Sequence, residues 1–224
     1  MPTAIHVPAE PYEFLLEPQS TALLVIDMQR DFVLPGGFGE LLGNDVSKLT
    51  PAIAPTKRVL ETFRGQHLKV IHTREGHRPD LSDCPPAKRA RGHLKIGIGD
   101  QGPMGRVLVR GEQGHGIIDD LAPVGMEPVV DKPGKGAFFA TDLDLILKNW
   151  QIKSLVVTGV TAEVCVHTTV REANDRGYEC LVLEDCIASY FPEFHLAAVN
   201  MIKAQGGIFG WISTSEQLLK CLGG

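Results

Sequence analysis

An aspartate, a lysine and a cysteine stand in this sequence where they could perform nucleophilic chemistry together. Asp27 closes the apolar run TALLVID, Lys132 closes EPVVDK, and Cys165 follows SLVVTGV at the start of a predicted helix. Runs of this kind are typical of buried strands in a parallel sheet. Because ligands collect at the carboxyl ends of such strands, we expect the three side chains to converge at one edge of the sheet.

This combination of side chains favours a thiolate nucleophile. A free thiol has a pKa of about 8.5, and both a helix N-terminus and a neighbouring cation lower it. Lys132 can supply the cation, while Asp27 can accept the thiol proton and later pass it to a leaving amine. Backbone N–H groups in the turn before Cys165 would point at a developing oxyanion.

Each of the three residues also has a purely structural interpretation. Asp27 could be a turn residue, Lys132 a surface lysine and Cys165 a small core residue. A disulfide framework is not expected, because the cysteines are odd in number and widely spaced. The absence of a C-x-x-C pair argues against a structural zinc site. The cysteines are Cys84, Cys165, Cys180, Cys186 and Cys221.

The bulk properties narrow the classes of protein. The chain has 224 residues and a net charge of −5, so one domain spanning 1–224 is expected and nothing favours nucleic acid as a partner. Its apolar runs are far shorter than the roughly 20 residues that span a bilayer. No basic start followed by an apolar stretch opens the chain, so no membrane partner and a cytoplasmic location are expected.

Apolar runs alternate with helical patterns along the chain. This alternation predicts an α/β fold, a three-layer α/β/α sandwich around a mainly parallel, Rossmann-like sheet of about six strands. The predicted strands are 21–27, 68–73, 127–132, 154–160, 180–185 and 206–213. The predicted helices are 51–65, 141–150, 162–177, 192–207 and 213–222.

One segment, 74–126, breaks the alternation. It is rich in Gly, Pro, Arg and His and contains no long apolar run. A connection of this length is uncommon unless it is functional. We therefore interpret it as a lid or an oligomer arm over the site, with a short hairpin near 105–112.

Metal binding is not expected. His72 and His77 could suggest a metal site, but the chain contains no D-x-H or H-x-H pair near them. Glu75 with His77 gives only a two-ligand fragment, which is weak evidence for a metal centre. We expect neither a metal nor another cofactor.

Three segments resemble the signature segments of the isochorismatase-like cysteine hydrolases. They are ALLVIDMQRDF, DKPGKGAFFATDLDLIL and LVVTGVTAEVCVHTTVREANDRGYECLVLEDC, in the order found in that family. The resemblance extends from about residue 18 to 222. It implies the same three-layer fold and an assembly as a homotetramer or homodimer.

The resemblance also implies a catalytic triad of Asp27, Lys132 and Cys165. Of the two lysines in DKPGKG, Lys132 matches the family lysine, because Gly136-Ala137-Phe138 occupies the small-residue element four positions later. The family carries a cis peptide bond before the residue that matches Thr161. That bond would aim the backbone N–H groups of Thr161 and Cys165 at the oxyanion.

Residues outside the triad bear on the substrate. HTREGHRPDL lacks the Asp-x-His metal site of the family's nicotinamidases, whereas it and the QGG element are similar to biuret hydrolase and other ureide-cleaving members. The resemblance thus implies hydrolysis of a small amide or ureide, with biuret or triuret expected first. The implied substrate-binding residues are Phe32, Phe38, Glu75, Lys135, Val160 and Gln205.

Other activities stay open at this point. Ureidoacrylate and N-carbamoyl amino acids are alternative substrates of the same chemistry. A vinyl-ether hydrolase of the isochorismatase type is a further alternative, but it would use no thiol nucleophile. A non-catalytic scaffold with this fold is the last, and an intact triad argues against it.

Overall fold

A computed structural model describes residues 4–89 and 95–223. Its strands, in chain order, are β1 (Ile5–Val7), β2 (Phe14–Leu16), β3 (Thr21–Ile26), β4 (Lys69–Glu75), β5 (Gln101–Gly102), β6 (Gly105–Arg106), β7 (Val129–Lys132), β8 (Ser154–Val160), β9 (Glu179–Ala188) and β10 (Trp211–Ser213). Its helices are α1 (Arg30–Val33), α2 (Phe38–Leu41), α3 (Ile53–Gly65), α4 (Pro86–Arg89), α5 (Leu143–Asn149), α6 (His167–Asp175), α7 (Pro192–Gly207) and α8 (Ser215–Leu222).

Six of these strands form one parallel sheet in the order β10-β9-β8-β3-β4-β7. The two central strands, β3 and β8, are buried along their whole length. This burial explains why their sequences are continuously apolar rather than alternating. The predicted parallel sheet of about six strands is confirmed.

Helices cover both faces of the sheet. On one face, Ala22, Leu24 and Ile26 of β3 pack with apolar side chains of α5, α6 and α7. On the other face, Leu23 and Val25 pack with α3 and α8. Successive β3 side chains thus enter separate cores, as the pleat of a strand requires. The three-layer α/β/α architecture is confirmed.

The ends of several elements differ from the prediction. The sixth strand does not begin at residue 206, because Gly206 and Gly207 end α7 with positive φ and only Trp211–Ser213 pair with β9. β9 in turn runs three residues beyond the predicted 180–185, to Ala188. Apolar composition alone could not separate a glycine-rich helix end from the strand that follows it.

The segment 74–126 contains short elements and its own small core. Its hairpin pairs Gln101–Gly102 with Gly105–Arg106, so it lies before the predicted 105–112 and overlaps only its first residues. Val107 and Leu108 are buried with Phe38 of α2. Residues 90–94 lie outside the described residues. The interpretation of the segment as a lid or oligomer arm, and that of 1–224 as a single domain, stay predictions.

None of the helices in the described ranges is long and apolar enough to cross a membrane.

Gly159 of β8 fixes the distance between the two central strands next to Asp27. It has a φ of 116°, and a Cβ there would lie 2.0 Å from the Ile26 carbonyl oxygen. We expect Gly159→Ala to lower the free energy of unfolding by at least about 2 kcal/mol more than Gly43→Ala, measured by urea denaturation. Gly43 has a φ of 89°, and a Cβ there would have no atom within 4 Å. Gly43→Ala therefore measures the free-energy cost of placing alanine at a positive φ without a steric clash. Equal losses in the two variants would contradict the close approach.

Candidate active site

Asp27 leaves β3 with its carboxylate fully buried. Its φ is 49°, a left-handed conformation that turns the chain away from the strand. Its backbone N–H donates to the Thr73 carbonyl oxygen at 3.2 Å, and its Oδ1 accepts from the Thr73 hydroxyl at 2.6 Å. Thr73 lies on β4, so the neighbouring strand holds the carboxylate in place.

Lys132 ends β7 and supplies the counter-charge. Its Nζ lies 2.7 Å from Asp27 Oδ2, and neither side chain is exposed. Nζ also donates to the carbonyl oxygens of Gly134, at 3.1 Å, and Lys135, at 2.8 Å. Burial alone would lower the pKa of Lys132, but the carboxylates of Asp27 and Glu75 outweigh it and raise the pKa above its ordinary value. The lysine therefore stays charged inside the protein.

Cys165 lies on a π-helical turn, Ala162–Val166, that follows β8. Its Sγ is buried, 3.5 Å from Glu75 Oε2. The peptide bond between Val160 and Thr161 is cis, as the family resemblance implied. Within the described residues, the Thr161 backbone N–H donates no hydrogen bond to protein, so it is free to bind an oxygen beside Cys165.

The thiol of Cys165 is neutral in this environment. Burial raises its pKa well above the ordinary value, and Lys132 lowers it by less. Lys132 does lower the pKa of the thiol, as expected, but the net shift is upward, so the expectation of a thiolate at rest is not met. The expectation left out the cost of desolvating a thiolate, and it left out the charges of Asp27 and Glu75, which also raise the pKa.

Glu75 at the end of β4 connects the charged groups. β4 lies between β3 and β7, so Glu75 faces Lys132 from the neighbouring strand. Its Oε1 lies 2.7 Å from Lys135 Nζ and 3.2 Å from Lys88 Nζ, and its Oε2 lies 3.9 Å from Lys132 Nζ. Burial alone would raise the pKa of Glu75, but the three lysines hold it at about 2.

The cluster carries a net positive charge of one, with three lysines against Asp27 and Glu75. Cys165 adds no charge while it stays a thiol. One additional negative charge, on the sulfur or on an attached oxygen, would therefore neutralise these ion-paired groups, among which the nearby Glu163 carboxylate is not counted.

A cavity of about 160 Å³ opens beside the Cys165 sulfur. Its wall includes four of the predicted substrate-binding residues and several that the sequence did not indicate. The predicted ones are Phe32, Phe38, Glu75 and Lys135. The others, apart from Thr161 and Cys165, are Gly39, Leu42, Glu163, Val164 and Tyr190.

Two predicted substrate-binding residues do not reach this cavity. Val160 is fully buried in the core on the α3 side of the sheet, and only its peptide bond with Thr161 borders the site. Gln205 is exposed where α7 breaks its helical conformation, with a φ of 52°. A motif gives the position of Gln205 in the chain, but the break in α7 decides where its side chain lies.

The cavity residues that the sequence analysis did not predict had few features in the sequence that could have indicated them. Glu163 and Val164 lie within the same short turn as Cys165, so their position in the motif was a usable signal. Tyr190 reaches the cavity because β9 is longer than predicted, and its hydroxyl donates to the Phe32 carbonyl oxygen at 2.8 Å. Lys88 gave no signal, because it lies in the irregular segment 74–126.

The donor set at the site is a poor match for a metal ion. Asp27, Glu75 and Cys165 offer ligand atoms within 4.8 Å of one another, but Lys132 Nζ lies close to both carboxylates. An ammonium already supplies the positive charge that a metal would bring. The histidines considered for a metal are bonded elsewhere: His72 contacts Glu127 at 3.0 Å and His77 contacts Asp83 at 3.2 Å. Metal-free function stays a prediction.

Comparison with known proteins decides the family. The model of the Isochorismatase domain matches residues 21–217. The chain belongs to the isochorismatase family. Ureidoacrylate amidohydrolase RutB of Serratia proteamaculans is 33% identical over 97% of this chain and 89% of its own length. This isochorismatase-family protein is therefore a hydrolase of carbon–nitrogen bonds other than peptide bonds, as expected.

Solved structures agree with this assignment. A cysteine hydrolase from Pseudomonas syringae pv. phaseolicola has a TM-score of 0.78 at 24% identity and covers 99% of this chain and 97% of its own, which supports the fold alone. N-carbamoylsarcosine amidase from Thermoplasma acidophilum has a TM-score of 0.67 at 26% identity, over 88% of this chain and 97% of its own.

The low pKa of Glu75 makes the free energy of unfolding depend on pH in the acidic range. In the unfolded chain this carboxyl titrates near 4.5 and in the folded protein at about 2. The stability it contributes is therefore fully present above the unfolded pKa and is lost as the pH falls towards the folded one. As the pH falls from about 4.5 to about 2, we expect the free energy of unfolding of the wild-type protein to drop by up to about 3 kcal/mol more than that of Glu75→Gln. Urea unfolding at a series of pH values measures this difference.

Glu193→Gln is the matched control, because Glu193 is exposed at the start of α7. Its stability should follow the wild-type pH curve. Parallel curves for wild type and Glu75→Gln would contradict the low pKa.

Proposed function

We propose that this protein is a cysteine amidohydrolase that cleaves a small ureide carrying a carboxylate, of the ureidoacrylate type. One observation carries the proposal: the Cys165 thiol lies at a small cavity lined by Lys135, and the carboxylate of the buried Asp27–Lys132 pair lies within 4.8 Å of its sulfur. Lys135 supplies an ammonium to this wall, and although it pairs with Glu75 at 2.7 Å it can also bind the anionic end of a substrate.

The relatives support a ureide as substrate. The relative from Serratia proteamaculans is named for ureidoacrylate, and the solved amidase from Thermoplasma acidophilum is named for N-carbamoylsarcosine. Both names describe a carbamoyl nitrogen compound that ends in a carboxylate. Biuret and triuret, the substrates expected first from the sequence, gain no support from these relatives. The alternative expectation, a ureidoacrylate or N-carbamoyl amino acid amidohydrolase, is therefore preferred.

In the proposed first step, Cys165 Sγ attacks the carbamoyl carbon of the ureide. The thiol proton passes to Asp27 as the carbon–sulfur bond forms, so the sulfur need not be a stable thiolate beforehand. This coupling suits a thiol whose pKa is raised by burial. The carbonyl oxygen becomes an oxyanion, which the backbone N–H groups of Thr161 and Cys165 bind.

The tetrahedral intermediate then collapses. The bond between the carbamoyl carbon and the substituted nitrogen breaks, and Asp27 returns its proton to that nitrogen, so an amine leaves. A carbamoyl thioester stays on Cys165. Water, deprotonated by Asp27, attacks this thioester and releases carbamic acid and the free thiol. The net reaction is a ureide plus water giving an amine plus carbamic acid, which decomposes to ammonia and carbon dioxide.

Lys132 acts on both steps through charge. Its ammonium keeps Asp27 available as a base before the attack, and it stabilises the negative charge that develops on sulfur and oxygen. The net positive charge of the three lysines against Asp27 and Glu75 also stabilises that negative charge.

The two alternative functions do not account for these groups. A vinyl-ether hydrolase would need no such thiol, and a non-catalytic scaffold would not need to bury an ion pair near a cavity.

A panel of ureides tests the proposal. We expect wild-type protein to release ammonia from ureidoacrylate or an N-carbamoyl amino acid with a higher kcat/KM than from biuret or triuret. Cys165→Ala should bind the same substrates but show turnover at least about 1000-fold lower, because no thioester can form.

Ammonia release should be followed by a coupled assay, and binding by calorimetry on Cys165→Ala. Cys221→Ala, which replaces another free cysteine outside the cavity wall, is the control and should keep wild-type turnover. Undiminished hydrolysis by Cys165→Ala would contradict the mechanism. Inactivity on the whole panel, with turnover of isochorismate, would refute the proposed substrate class.

Metal removal is a separate test. Because Lys132 already neutralises the carboxylates, we expect dialysis against a chelator to leave kcat/KM on the best ureide within about twofold. Loss of activity that added zinc or iron restores would contradict the metal-free mechanism.

A further inference from the structure

Glu163 brings a second carboxylate to the cavity, and the mechanism above does not use it. It lies in the same π-helical turn as Cys165, two residues before the sulfur, and forms part of the cavity wall. The neighbouring wall includes the apolar side chains of Phe32, Leu42 and Val164.

The carboxylate of Glu163 lacks a partner in the described part of the chain. Its Oε2 is buried without a hydrogen bond, and no ion pair among those residues includes it. Two other polar side chains of the wall are already engaged. Lys135 Nζ contacts Glu75 at 2.7 Å, and the Tyr190 hydroxyl donates to the Phe32 carbonyl oxygen.

A buried acceptor without a donor costs free energy, by about 1–3 kcal/mol for a neutral group and more for a charged one. Bound substrate can remove this cost if it places an N–H at Oε2. The apolar neighbours of Glu163 offer no donor of their own, so the donor that fits is a nitrogen of the ureide.

We propose that Glu163 determines specificity by accepting a hydrogen bond from the unsubstituted NH₂ of the substrate's carbamoyl group. This inference rests on the proposed function. The carbamoyl carbon has three substituents to place: its oxygen binds the Thr161 and Cys165 N–H groups, and its substituted nitrogen faces Asp27. The NH₂ is left for Glu163.

This contact gives the substrate one orientation. The negative charge of Glu163 repels a substrate carboxylate, whereas the ammonium of Lys135 attracts it. The carboxylate end of the ureide therefore binds near Lys135, and the carbamoyl end binds near Glu163. The NH₂ also stays on the carbon after the amine leaves. Glu163 therefore holds the carbamoyl thioester in the same position while water attacks it.

Comparing kcat/KM for two substrates distinguishes a hydrogen bond from Glu163 to the substrate from a purely structural role of this residue. Initial rates should be measured on the best ureide of the panel and on its analogue with two methyl groups on the terminal nitrogen, which leaves no N–H there to donate. We expect Glu163→Gln to lower kcat/KM for the NH₂ substrate by about 10- to 100-fold, the value of a charge-assisted hydrogen bond. Glu163→Leu should bring the kcat/KM ratio of the two substrates close to one.

Glu193→Gln, exposed on α7, is the matched control and should behave as wild type. The rate of Cys165 alkylation by iodoacetamide should stay within about twofold in both Glu163 variants, which shows that the fold and the nucleophile are intact. An unchanged kcat/KM in both variants, or an equal fall for both substrates, would overturn the role of Glu163. A wild-type protein that hydrolyses no ureide would instead refute the proposed function, and this inference with it.

Discussion

The buried ion pair between Asp27 and Lys132 is the interaction on which the site depends. Neither charge could stay in the interior alone, because removing one partner of such a pair leaves an uncompensated charge at a cost of several kcal/mol. The pair is possible because β4 lies between the strands that carry the two residues and adds Thr73 and Glu75 to it. The order of the strands thus creates the electrostatics of the site.

The same cluster explains how a neutral thiol can be reactive. Desolvation keeps Cys165 protonated at rest, so the protein does not store a thiolate. Instead, the ion-paired groups beside the thiol carry a net positive charge, since three lysines lie against the carboxylates of Asp27 and Glu75. Negative charge is favoured only once it forms, on sulfur and then on the substrate oxygen. Such a site stabilises the transition state more than the ground state.

The fold could be predicted well, and the site only in part. Each apolar run of β3, β4, β7 and β8 corresponds to an observed strand. For β3 and β8 the signal was strongest, because strands buried on both faces are continuously apolar. The predicted boundary of β10 was wrong, since the run GGIFGWIS joins the glycines that end α7 to the apolar residues of the strand without a visible break. Gln205 lies on the surface of the described chain because α7 breaks there, so its role in substrate binding stays a prediction.

The sequence by itself determined which residues end the strands, and a parallel sheet brings all carboxyl ends to one edge. That rule is local and topological, so Asp27, Lys132 and Cys165 could be placed near one another without coordinates. Only the tertiary structure decided the protonation of Cys165, the central position of Glu75 and the fact that the Glu163 carboxylate has no partner in the described ranges. These properties depend on desolvation and on which charges lie within a few ångströms, and neither quantity is encoded in the order of residues along a strand.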